Sequence, residues 1–177
     1  FYITYTKESG INKNLEINYS FIALGSNLGS RKQNLIQAHN SIIENIGDII
    51  KYSKIYETES WGNNNQQKFL NQVIKIQTRD EPLKLLKKLK KIEKKLGRVK
   101  SSKWGERLID LDILYFNNKI INTKKLIIPH QYLYKRKFVL IPLNDIDKEF
   151  KHPILKISNY ELLNKIDDKK LVIEHGL

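Results

Sequence analysis

Two acids, Asp110 and Asp112, stand in the run LIDLDILYF (108–116), which is otherwise Leu, Ile, Tyr and Phe. On a strand, residues two apart project to the same side, so both carboxylates share a face. Side by side they repel, and a cation between them removes that cost. Mg²⁺ suits the pair, because it takes oxygen ligands, keeps several waters and is commonly held by one or two carboxylates together with substrate phosphates. An edge strand whose acids face solvent or pair with lysines fits the same spacing.

Just upstream, Arg98, Lys100, Lys103 and Arg107 surround Trp104, most of them on a loop from Gly97 to Gly105. Long cations beside a carboxylate pair are what a nucleoside triphosphate with Mg²⁺ requires, since guanidinium forks grip phosphate oxygens bidentately. A solvated basic loop is the other reading, and the lysines between 84 and 95 read as the solvated face of a helix. The segment Gly25-Ser26-Asn27-Leu28-Gly29 lacks the Gly-Lys-Ser/Thr ending of a P-loop and reads as a tight strand-to-helix turn. His130, after Pro129, is either a turn residue or a phosphate donor, and no other His or acid lies at zinc-ligand spacing. Phe69, Asn71 and Phe138, taken separately, read as core or turn residues.

These residues need elements to position them. An apolar run from Ser20 ends in two glycines and predicts a buried strand, after which Ser30 caps a helix carrying Leu35, Ala38, Ile42, Ile43 and Ile46 on one stripe, ended by Gly47. Lys51 to Thr58 alternates as a strand with one wet face, Trp61 to Asn65 is a loop, and Phe69 to Thr78 is a strand rich in β-branched residues. Pro82 opens a helix with Leu85, Leu89, Ile92 and Leu96 on its apolar face, closed by Gly97, and a strand follows over 108–116. The order β-α-β-β-α-β predicts an α+β fold with a ferredoxin-like βαββαβ core, both helices packed on one face of the sheet. Beyond it the pattern gives a turn at Asn117-Asn118, a short strand at Lys124 to Ile128, an apolar stretch at Phe138 to Ile146 interrupted by Pro142, and a final helix within Ile157 to Ile166: a C-terminal hairpin and short helices. Residues 1–19 read as an extension ahead of one domain, 20–177.

The chain has 177 residues, 40% of them hydrophobic, and a formal charge of +13. That excludes wholesale disorder and points to a polyanionic partner, nucleic acid or a small phosphorylated molecule. Heavy use of Lys, Ile and Asn throughout weakens the nucleic-acid reading. The absence of Cys rules out disulfides and thiolate chemistry, and no apolar run reaches the length of a membrane span. A soluble cytoplasmic protein is expected.

Taken together, these motifs resemble the 6-hydroxymethyl-7,8-dihydropterin pyrophosphokinase family from about Ser20 to beyond Phe138. The most specific part is Lys103-Trp104-Gly105-Glu106-Arg107-Leu108-Ile109-Asp110-Leu111-Asp112-Ile113-Leu114, and FIALGSNLG, FLNQV, GRV and the INT…PH segment recur in order. The resemblance implies diphosphate transfer from ATP to a pterin alcohol, with attack on the β-phosphorus and release of AMP, and no strong general base. Asp110 and Asp112 become ligands of two Mg²⁺ ions. Arg98, Lys100 and Arg107 act on the transferring group with them. The ATP contacts it implies are Glu93, Arg98, Lys100, Trp104, Arg107, Ile113, Lys125, His130 and Arg136. Phe69 and Phe138 sandwich the pterin, Asn71 is its amide partner, Thr58 to Gly62 supplies backbone contacts and Trp104 closes over it. Segments around Gly62 and from Gly97 to Gly105 are expected lids. Lys100, Ile127, Gln131, Glu59 and Trp61 depart from the usual family residues. Small-molecule partners, no nucleic acid and no membrane are expected, for a monomer or one module of a longer folate-pathway fusion. A basic ferredoxin-like RNA-binding module is the competing reading.

Overall fold

A computed structural model describes residues 16–59, 67–98 and 106–176. Strand β1 (Asn18–Ser26) is buried on both sides, with Phe21, Ile22 and Leu24 almost inaccessible. A strand like this belongs at the centre of a sheet. It pairs antiparallel with β4 (Phe69–Thr78), in unbroken register from Asn18 opposite Thr78 to Ser26 opposite Leu70, and on its other side with β5 (Asp110–Phe116).

The outer edge of β4 carries two short strands end to end, β2 (Gly47–Tyr52) and β3 (Tyr56–Thr58), rather than the single strand expected over 51–58. The interruption has a physical cause at Ser53. Its backbone N–H donates to the Val73 carbonyl at 2.9 Å, while its hydroxyl accepts the Val73 N–H at 2.9 Å, so a side chain stands in for one backbone rung of the ladder. Beyond β3 lies β8 (Val172–Glu174), an edge strand unforeseen from the sequence. Near the base of β3, Arg31 Nη1 donates to Glu57 Oε1 at 2.8 Å and to the Lys68 carbonyl at 2.6 Å, tying β3 to the start of β4.

Helices α1 (Arg31–Asn45) and α2 (Pro82–Lys95) lie on one face, as their stripes required, except that Ile43, expected on the α1 stripe, faces outward and is exposed. Leu35, Ala38, Ile42, Leu85, Leu89 and Ile92 pack there against Ile22, Leu24, Ile74, Ile76 and Leu111. Truncating a fully buried leucine such as Leu85 or Leu89 to alanine costs about 2–5 kcal/mol in such a core. Ser30 does occupy the N-cap position of α1, but its hydroxyl makes no capping bond. Asn34 closes that turn instead, donating to the Leu28 carbonyl at 2.9 Å and to Ser26 Oγ at 3.0 Å.

The opposite face is covered by α3 (Lys137–Asp147) and α4 (Asn159–Lys165), which pack Val139, Leu140, Leu143 and Leu162 against Phe21, Val73 and Tyr115. Pro142 lies inside α3, where it forfeits the bond its N–H would donate to the Phe138 carbonyl. Strands β6 (Ile121–Asn122) and β7 (Ile127–Ile128) form a small separate hairpin, so the strand expected from Lys124 starts three residues later. Its fold is thus a mixture of helix and antiparallel sheet. Among the described residues no helix is long and apolar enough to cross a membrane.

Candidate active site

The α3 face of the sheet is not fully covered. At the end of β1, antiparallel register places Asn71, Gly25 and Asp110 in one row across β4, β1 and β5, and Val73, Ala23 and Asp112 in the next. Because the two central residues are glycine and alanine, the middle of the sheet is hollow where its neighbours carry functional side chains. A Cβ at Gly25 would come 3.3 Å from Asn71 Oδ1 and 3.7 Å from the Phe69 ring, so only glycine leaves that hollow open. Above it lies a cleft of about 380 Å³, roofed by residues of the segment from His130 to Val139. One wall is acidic and cationic, the other aromatic and amide.

On the charged wall, Asp110 accepts from Arg98 Nη1 at 2.6 Å through Oδ1 and from Arg107 Nη1 at 2.5 Å through Oδ2. Burial alone would push this carboxyl up, but Lys90, Arg98 and Arg107 outweigh it and hold it below the usual carboxylate range. Arg98 also pairs with Glu93 Oε2 at 2.5 Å, and these carboxylates hold its charge against burial. Asp112 is the more open of the acids, its side chain 38% exposed.

Strand β5 is the edge of the sheet, and its outward backbone groups need partners. Helix α2 supplies them from side chains one turn apart. Glu93 Oε1 accepts the Leu111 N–H at 2.8 Å, and Lys90 Nζ donates to the Leu111 carbonyl at 3.1 Å. The two join at 2.7 Å. Glu93 is thereby sealed in, and burial raises its carboxyl despite Lys90.

On the roof, the Arg136 guanidinium lies 5.0 Å from the Tyr132 ring and 5.7 Å from the Phe138 ring. Burial lowers its affinity for the proton, against the pull of Asp112 and Asp110. His130 is likewise lowered by burial, with Asp112 opposing and Arg136 reinforcing. Its Nδ1 accepts the Tyr132 N–H at 3.3 Å, which assigns the proton of the neutral ring to Nε2. In the aromatic half, Asn71 Nδ2 donates to Thr58 Oγ1 at 2.7 Å, and Phe69 and Phe138 flank the opening.

Of the residues expected from the sequence, the structure brings Arg98, Arg107, Asp110, Asp112, His130 and Arg136 to the charged part of this cleft. Thr58, Phe69, Asn71 and Phe138 line the rest. Glu93 and Ile113 do not line it: Glu93 acts on the backbone of β5, and the Ile113 side chain sits in the core beneath α1 and α2. Lys125 is exposed in the β6–β7 turn and does not line the cleft. Lys100, Lys103, Trp104, Trp61 and Gly62 lie outside the described residues, and with them most of the two expected lids. Sequence reading missed Lys90 and Tyr132. Lys90 looks like every other lysine of α2, and its one distinguishing signal is the spacing to Glu93, an acid on the buried side of that helix.

Asp110 and Asp112 offer hard oxygen donors on one strand face, a set that fits Mg²⁺. No group of three or more His, Cys, Asp or Glu that could hold a metal ion occurs among the described residues. Two carboxylates are a partial shell, to be completed by water and phosphate.

A family model described as 7,8-dihydro-6-hydroxymethylpterin-pyrophosphokinase (HPPK) matches residues 21–148. The chain is 43% identical over 136 residues to the 2-amino-4-hydroxy-6-hydroxymethyldihydropteridine pyrophosphokinase of Aquifex aeolicus, covering 77% of this chain and 84% of that one. Its similarity to the protein of the same name from Bacillus subtilis is 44% over 130 residues, covering 73% and 78%. It is also 42% identical over 148 residues to the folic acid synthesis protein fol1 of Pneumocystis carinii, covering 84% of this chain and only 20% of that longer protein. Among solved structures, wild-type HPPK-DHPS of Plasmodium falciparum shares the fold, with a TM-score of 0.67 at 20% identity, over 85% of this chain and 44% of that one.

Proposed function

The chain belongs to the 7,8-dihydro-6-hydroxymethylpterin-pyrophosphokinase family and is a pterin pyrophosphokinase of folate synthesis; from that premise we propose how its own residues carry out the transfer. The substrates are ATP and 6-hydroxymethyl-7,8-dihydropterin. The hydroxymethyl oxygen bonds to the β-phosphorus as the bond to the α-phosphate oxygen breaks; AMP leaves and the hydroxyl proton passes to solvent. One observation carries the assignment of roles: the row Asn71, Gly25, Asp110, which sets an amide-and-aromatic half beside an acid-and-cation half across one glycine.

Phe69 and Phe138 stack on the flat pterin, and Asn71, its orientation fixed by Thr58, reads a polar edge of the ring. Arg98 and Arg107 turn their forks from Asp110 to the phosphates and neutralise the charge that spreads over them in transfer. Arg136 and the Nε2–H of His130 bind phosphate oxygens from the roof. Asp110 and Asp112 would hold Mg²⁺, two ions in this reading, which when bound would offset phosphate charge. No carboxylate is needed as a strong base, since phosphoryl transfer depends chiefly on positioning and charge neutralisation. Glu93 is a positioning residue that fixes β5 and Arg98. Lys100, Trp104, Ile113 and Lys125 are assigned to ATP by resemblance alone, and Trp104 and the stretch from Thr58 to Gly62 to the pterin.

We read the β5-β1-β4-β2 path, with α1 and α2 on one face, as the ferredoxin-like core, with β3 and β8 an added edge. The chain works as a cytoplasmic monomer in this reading; relatives such as the folate synthesis bifunctional protein of Arabidopsis thaliana carry the matching segment within a longer chain. The basic RNA-binding module has no support from the comparisons, and β5 presents carboxylates where such a module needs aromatics.

The test is AMP formation from ATP, the pterin and Mg²⁺ by wild type, Asp110→Ala and Asp112→Ala. Activity that requires pterin and metal and falls about 100-fold or more in each variant is expected. AMP release without pterin, or full activity in both variants, would overturn the reading.

A further inference from the structure

Lys90 has an unusual position for a helix-surface lysine. Its Nζ donates to Glu93 Oε1 at 2.7 Å and to the Leu111 carbonyl at 3.1 Å, and the same ammonium stands 3.6 Å from Asp112 Oδ1 and 4.0 Å from Asp110 Oδ1. Leu111 lies between the two acids, so by capping its carbonyl the ammonium is drawn to the place where both carboxylates converge. Nevertheless the side chain is 43% exposed, and its aliphatic stem leaves room to swing outward.

We propose that Lys90 is a built-in counter-cation of the Asp110/Asp112 pair, which keeps divalent metal out of the unliganded cleft and makes metal binding depend on the nucleotide. This rests on the reading above that these two acids hold the metal. Without nucleotide, Glu93, Asp110 and Asp112 face Lys90, Arg98 and Arg107, with Arg136 also acting on the two aspartates, so the acids already have their counter-charge. A divalent ion entering beside the two aspartates meets the ammonium within a few ångströms, at a cost that water does not fully screen. A triphosphate changes the balance. It draws the lysine and arginines to its own oxygens and leaves the aspartates to the metal. Nucleotide and metal are then coupled, and the coupling is reciprocal. An ammonium suits this exchange better than a guanidinium, being a compact charge with freely rotating donors rather than a planar fork.

A simpler role, capping the edge of β5, needs donors and no charge beside the aspartates. The two separate in Mn²⁺ binding without nucleotide, measured by electron paramagnetic resonance on the full chain. Lys90→Gln keeps a donor for the Leu111 carbonyl and removes the charge; Lys90→Met removes both. Each is expected to bind Mn²⁺ about tenfold more tightly than wild type, within the usual range of coupling between sites. Lys90→Arg, which keeps the charge, and Lys91→Gln, which lowers net charge one residue away on the exposed side, should bind as wild type does. Unchanged Mn²⁺ affinity in both neutral variants, or equal tightening in Lys91→Gln, overturns the proposal while the metal site stands. If instead Mn²⁺ binding with a nonhydrolysable ATP analogue is the same in wild type and in the Asp110→Ala/Asp112→Ala variant, the metal site itself fails, and the proposal with it.

Discussion

Asp110 meets three cations on an edge strand, and its protonation is therefore a property of folding as well as of catalysis. Its carboxyl is held below the usual range by Lys90, Arg98 and Arg107, against burial. An acid depressed in the folded state stabilises fully above its unfolded value of about 3.9 and loses that contribution as pH falls through its folded value. Asp110→Asn should therefore cost about 2 kcal/mol at pH 7, discounted from fully buried pairs because the side chain is about one-fifth exposed. The urea midpoints of variant and wild type should then begin to converge only as pH falls below about 4, and parallel curves would show that the ion pairs contribute nothing. This residue was legible because strand period alone puts Asp110 and Asp112 on one face. Lys90 was not: its spacing to Glu93 is the one local hint, and what sets it apart is the backbone of Leu111, brought to it by tertiary packing, which helical periodicity does not carry.

At the scale of elements, the sheet and the two helices beneath it follow from local pattern, and the misses occur where a distant group intervenes. The single strand expected over 51–58 divides at Ser53 because its hydroxyl takes the rung belonging to a backbone carbonyl. Apolar residues 138–146 become α3 although Pro142 interrupts them, since burial of Val139, Leu140, Leu143 and Ile146 outweighs one lost hydrogen bond. Strand β8 is only three residues long and largely exposed, and it exists because the edge of β3 is free to pair. The joint between α1 and β2 gives the sharpest test. A Cβ on Gly47 would lie 2.1 Å from the Gln77 carbonyl oxygen, so Gly47→Ala must part β2 from β4. The expected loss is about 2 kcal/mol or more in urea unfolding. Because Gly47 faces Thr78, at the opposite end of β4 from Phe69, pterin-dependent AMP formation per folded molecule should be unchanged. An unaltered midpoint would refute this account of the joint.

For the molecule as a whole, a charge of +13 has no role in the fold and must be judged by what it attracts. ATP is a polyanion and the dihydropterin is neutral, so the two substrates of one cleft report on the field separately. Lys90 of α2, Arg98 just past its end and Arg107 line the opening, and the other lysines of α2 add positive charge on the same helix. Raising salt from about 20 to about 300 mM, which shortens the screening length from roughly 20 Å to roughly 6 Å, should lower kcat/KM for ATP about tenfold. Free Mg²⁺ is held constant, and kcat and the KM for pterin should scarcely move. An equal fall for both substrates would mean that salt acts on the cleft rather than on encounter. A flat response would mean that the excess lysines are a habit of composition, and that the reaction draws on the cations of the cleft, among the described residues Lys90, Arg98, Arg107 and Arg136.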